Sequence, residues 1–104
     1  MAGPARPSAP LCLIVLTYVK PLEEVDALLS AHIAWLEQGY AQGLFLVAGR
    51  RVPRTGGVIV TRGERAAVEA LAATDPLVKN GIATIEVIPF TATSAAPAIA
   101  DLLG

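Results

Sequence analysis

The fold is decided by residues 11–48, LCLIVLTYVKPLEEVDALLSAHIAWLEQGYAQGLFLVA. The stretch opens on an unbroken apolar run, Leu11 to Leu16, which reads as a fully buried strand ending at Tyr18. Pro21 then stands where its missing N–H costs nothing, at the start of a helix. Glu23, Glu24 and Asp26 put negative charge at the positive end of that helix's dipole. The pattern predicts one helix running to about Ala41 and stopping at Gly43, with Gly39 weakening its last turn. Leu22, Val25, Leu29, His32, Leu36 and Tyr40 recur at intervals of three and four residues and form its apolar face. His32 therefore falls among the apolar residues and nearly in register with Val25. Leu44 to Ala48 follows as a second strand.

The remainder repeats this order. Gly49 to Gly57 is a turn-rich connection with Pro53 and paired glycines. Gly57 to Arg62 reads as a third strand, and Glu64 to Ala73 as a short Ala-rich helix with Val68 and Leu71 inward. Asp75-Pro76 breaks that helix, and Pro76 to Asn80 adds one turn that ends at Gly81. Ile82 to Phe90 is a fourth strand, closed by Pro89. Strand, helix, strand, strand, helix, strand is the ferredoxin-like βαββαβ arrangement. It is an α+β fold with an antiparallel sheet and both helices on one face. The halves share no sequence identity, so a true repeat is not supported. Residues 1–10, rich in Pro and Ala, are expected to be a disordered lead-in. Residues 11–91 form the domain, and 92–104 a C-terminal extension that can fold into a short helix.

Of the 104 residues, 54% are hydrophobic and 16% charged, which excludes a wholly disordered chain. Ala supplies 19 of the hydrophobic residues. No stretch approaches the roughly 20 apolar residues of a membrane span, and the N-terminus does not read as a signal peptide. A cytoplasmic protein is expected, with no membrane partner. The net charge of −1 offers no basic excess for nucleic acid. With one cysteine and one histidine, an internal disulfide and a Cys/His zinc site are both excluded, and Cys12 reads as a buried thiol. The runs Leu11 to Leu16 and Leu44 to Ala48 carry no polar residue, and Ile59 lies between Val58 and Val60. Both sheet faces are thus apolar, which predicts a homodimer packed sheet to sheet and closing a barrel-like core.

The residues able to carry chemistry are few. His32 is the only histidine, and imidazole is the natural acid or base near neutral pH. The other reading is a core histidine bonded to a backbone carbonyl. Asp75, directly before Pro76, is a good N-cap. A capping Asp can also orient a histidine, but spacing alone does not show contact across 43 residues. Arg50, Arg51 and Arg54 share one loop, which reads either as a solvated basic turn or as an anion site. Tyr18 can present its hydroxyl to a cleft, and Trp35 flanks the inner helix face. P-loop, nucleophile-elbow and dinucleotide motifs are absent, and no cofactor is expected.

Taken together, these pieces resemble the YciI-like (YCII-related) proteins over about residues 11–91. The resemblance rests on the strand ending in Tyr18, His32 followed by Leu36, and Gly43-Leu44-Phe45 leading to Ala48-Gly49. It also rests on Gly57, on Asp75-Pro76 with Val78 and Gly81, and on Ile88-Pro89-Phe90. It implies a ferredoxin-like domain of the dimeric α/β-barrel group, with His32 and Asp75 as a His–Asp dyad in a cleft and no defining metal. It further implies proton transfer on a small cyclic or aromatic substrate, of the lyase, dehydrochlorinase-like or isomerase-like kind. Tyr18, Arg50 and Arg54 would be the substrate-binding residues. The alternative is a non-catalytic dimeric module that binds a small molecule. The chain departs from the family pattern at Arg50, which follows Gly49 in place of the usual Pro. Leu29 stands where some relatives have Arg, and Leu77 where an aromatic often follows Asp-Pro.

Overall fold

The computed structural model describes residues 9–103. The elements are β1 (Ala9–Tyr18), α1 (Leu22–Ala27), α2 (Leu29–Ala41), β2 (Phe45–Arg50) and β3 (Gly56–Arg62), followed by α3 (Arg65–Ala72), α4 (Pro76–Lys79), β4 (Ala83–Ala92) and α5 (Pro97–Leu103). The four strands form one antiparallel sheet in the order β2-β3-β1-β4. This is the expected ferredoxin-like α+β fold. Residues 1–8 of the expected lead-in lie outside the described residues, whereas Ala9 and Pro10 already pair with Ala92 and Thr91 of β4.

Alternation along β1 separates the two faces of the sheet. Cys12, Ile14 and Leu16 are buried against Val25, Trp35, Val68 and Leu77 from the helices. Leu13 and Val15 point the other way, beside Val60, Ile88 and Val58 in register. This second face is half open. Val47 is 59% exposed, Ile88 41% and Phe90 45%. The C-terminal helix covers one end of the sheet, where Leu103 packs with Ala9, Leu11 and Ala92.

Two expectations need correction. The fourth strand does not close at Pro89 but continues to Ala92. The reason is its position: β4 is an edge strand that pairs only with β1, and an edge tolerates a residue without an N–H. The helix predicted from Pro21 to Ala41 is two helices. Leu28, at φ −108° and ψ 4°, interrupts it, and its N–H bonds back to the carbonyl of Val25. A continuous helix would centre its apolar face on His32, and the break re-aims it. In α1 Val25 remains buried and Leu22 is exposed, while α2 buries Trp35 and Gly39 and leaves Tyr40 exposed. His32 moves from the middle of the stripe to its margin.

Gly39 shows how closely α2 sits on the sheet. A Cβ there would lie 2.1 Å from the Phe45 ring. Phe45 in turn packs on Trp35, with ring centroids 5.1 Å apart. The position of α2, and of every side chain it carries, is thus set by an aromatic contact that only glycine permits.

Candidate functional site

His32 and Asp75, 43 residues apart in the chain, are in contact. Nδ1 of His32 lies 3.0 Å from each carboxylate oxygen of Asp75. Asp75 also caps α4, because its Oδ1 accepts the backbone N–H of Leu77 at 3.0 Å. Its side chain is 1% exposed and that of His32 15%. A buried carboxylate is costly unless bonded, and here each oxygen has a donor. Of the two readings of Asp75, cap and histidine partner, both hold at once. The backbone carbonyl imagined as the partner of His32 is replaced by this carboxylate.

Behind the histidine stands a second buried contact. The Trp35 ring stacks beside that of His32, with centroids 6.0 Å apart and planes 25° apart. The indole Nε1 donates to Thr74 Oγ1 at 2.9 Å, one residue before Asp75. The segment Thr74-Asp75 therefore holds both rings of α2. This bond was not legible in the sequence, because Thr74 has no motif around it.

His32 lines a cavity of about 290 Å³ between the helices and the end of the sheet where Tyr18 and β2 terminate. With Nδ1 taken by Asp75, Nε2 is the nitrogen available to a molecule in that cavity. The walls are apolar: Leu29, Ile33 and Leu36 come from α2, Ile59 from β3 and Leu77 from α4. Tyr18, Tyr40, Arg50 and Arg54 also line the cavity and supply polar groups.

A scan of protein-family models matches the YCII-related domain over residues 11–91. The chain belongs to the YCII-related family. A search of the curated proteins finds no match.

Within this YCII-related domain the loop arginines part company. Arg51 turns away from the cavity, and its guanidinium donates to Thr17 Oγ1 at 3.0 Å. Arg54 pairs with Asp26 of α1 at 2.5 Å. That hydrogen bond holds the Asp26 carboxyl below its ordinary range and raises the guanidinium above its own. Arg50 has no ion-pair or hydrogen-bond partner among the described residues, although its charge also acts on Asp26. Asp26 read in the sequence only as a charge suited to a helix start, and its partnership across the cavity mouth had no local signal. Cys12 is fully buried on β1 against the helices, and burial pushes its thiol up. Among the described residues no three His, Cys, Asp or Glu side chains gather as metal ligands. No helix among them is long and apolar enough to cross a membrane.

Proposed function

We propose that this YCII-related domain is a small enzyme in which His32 moves a proton on a cyclic or aromatic substrate. The observation that carries the reading is the His32–Asp75 contact, set at the wall of an apolar cavity with Nε2 left for the substrate. An Nδ1–H donated to Asp75 leaves a lone pair on Nε2, which is the form a general base requires. When Nε2 takes the proton, the imidazolium forms against a carboxylate already in place. Apolar walls strengthen that attraction, because fewer waters screen it. The proton is then returned, either to another carbon, which is isomerisation, or to solvent while a leaving group departs with its electron pair, which is elimination. Tyr18 and Arg50 bind the substrate's polar substituents, and Arg54, paired with Asp26, lines the cavity beside them.

The same proposal includes a homodimer. The open face carries Leu13, Val15, Val47, Val58, Val60, Ile88 and Phe90, an apolar surface of the kind that marks an interface. Sheet-to-sheet packing would enclose it without touching the His32 face.

The family resemblance points to chlorine-substituted aromatic compounds as first substrates. Halide release on incubation with such a panel should be abolished in His32→Asn, with the dimer preserved. Full activity in that variant overturns the assignment of His32. Binding of the panel without turnover, unaffected by His32→Asn, would favour the non-catalytic module.

A further inference from the structure

We infer that the cavity's ligand is a carboxylate with an apolar body, its charge held by Arg50 and its body lying against the walls beside His32. This deepens the reading of the cavity as a ligand site and rests on it. The three arginines of the loop are not equivalent. Arg51 is committed to Thr17, and Arg54 to Asp26. Arg50 lines the cavity and has no such partner among the described residues. A guanidinium at the edge of an apolar cavity is matched to a planar carboxylate, which takes two parallel N–H bonds from it.

The charge count narrows the class further. Arg50 and Arg54 bring two positive charges to the cavity mouth, and Asp26 removes one. A monoanion balances the remaining charge. A phosphate dianion would leave a second negative charge uncompensated beside apolar walls, which is unfavourable. A neutral ligand would gain no charge-assisted bond from Arg50. The arrangement also keeps the negative charge of Asp75 away from the ligand's, because His32 stands between that carboxylate and the cavity.

The test uses the full chain with three probes: benzoate, its neutral isostere benzamide, and phenyl phosphate. Binding is read from the His32 ring resonances and from Trp35 fluorescence. Benzoate should bind saturably and perturb His32, with benzamide weaker by about tenfold, the size expected of one charge-assisted contact. Phenyl phosphate should bind no tighter than benzoate. Arg50→Gln should lose about tenfold in benzoate affinity and none for benzamide, and Arg50→Lys should fall between. Arg50 is exposed and has no side-chain partner among the described residues, so these variants should keep the wild-type melting temperature. Benzamide binding as well as benzoate, tighter binding of phenyl phosphate, or wild-type benzoate affinity in Arg50→Gln would each overturn the carboxylate. Benzoate binding retained in His32→Asn supports it whatever becomes of proton transfer. If no probe perturbs His32, the ligand site itself is lost.

Discussion

The carboxylate of Asp75 is shared between two elements: it accepts the Leu77 N–H that opens α4, and it holds Nδ1 of His32 on α2. Cap and histidine partner are one group, so stability and site geometry cannot be altered independently at this position. Asp75→Ala removes the cap, worth about 1 kcal/mol, and leaves Nδ1 without its acceptor, for a total of about 2 kcal/mol. Asp75→Asn keeps an oxygen for the cap and should lose less. Urea unfolding should rank wild type above Asp75→Asn, and Asp75→Asn above Asp75→Ala. Equal stability of the two variants would mean that the cap contributes nothing.

Glycines that position α2 and β3 give a second prediction. At Gly39 a Cβ would meet the Phe45 ring at 2.1 Å, and at Gly56 it would meet the Leu16 carbonyl oxygen at 1.8 Å. Nothing lies within 4 Å of the corresponding point at Gly49. Gly39→Ala gains helix propensity of about 1 kcal/mol but must displace a buried ring, and overpacking of this kind costs about 1–3 kcal/mol. A net loss is expected. Gly56→Ala should be worse, because backbone cannot rotate aside. Gly49→Ala should unfold with the wild type, and thermal melts of the three variants check the order.

The element order was legible because apolar runs and helical spacing are local signals. Leu11 to Leu16 and the Asp75-Pro76 break can be read without knowing any neighbour. The interruption at Leu28 was not legible, because no Gly or Pro marks it and the spacing continues through it. What accompanies it is tertiary: α1 buries Val25, and α2 seats Gly39 on Phe45. The same limit applied to the site. His32 and Asp75 were each visible as residues with two readings, and the family resemblance paired them. Their contact, and the diversion of Arg51 and Arg54 to Thr17 and Asp26, depend on side chains meeting across the fold.

The proposed dimer makes a third prediction. Ile88 is 41% exposed on edge strand β4 and points to the open face. Ile88→Glu should therefore fold while placing a charge in the interface, where an unpaired buried charge is strongly unfavourable. Light scattering should show a dimer for the wild type and a monomer for the variant, with unchanged circular dichroism. A monomeric wild type at micromolar concentration would remove the dimer from the proposal.

Cys12 ties stability to alkaline pH. Burial raises its thiol above the ordinary value of 9.0. The unfolded chain therefore loses this proton at lower pH than the folded one. Where the unfolded state binds fewer protons, stability falls as pH rises. This contribution is constant below about pH 9 and declines above it. Cys12→Ala should flatten that decline in unfolding experiments at pH 8–10. Iodoacetamide at pH 8 should spare the native thiol and label it in denaturant. Rapid labelling of the native protein would show that Cys12 is not closed off.

Asp26 works in the opposite sense. The hydrogen bond from Arg54 lowers its carboxyl below the ordinary value of 3.8. A folded-state value below the unfolded one gives stability that is present above about pH 3.8 and lost as pH falls through the lowered value. The pair is exposed, and an exposed pair contributes little to stability, so its consequence should appear at the cavity mouth instead. Asp26→Asn removes the acid paired with Arg54 and frees that guanidinium, which raises the net charge of the Arg50, Arg54 and Asp26 group from one positive to two. Benzoate affinity should increase and depend more steeply on ionic strength, and phenyl phosphate should gain more than benzoate because it carries the second negative charge. Carboxyl NMR should place the Asp26 midpoint below 3.8 in the wild type and return it to the ordinary range in Arg54→Gln. A midpoint that does not move in Arg54→Gln would dissolve the pair, and with it the reason for assigning the ligand's charge to Arg50 alone.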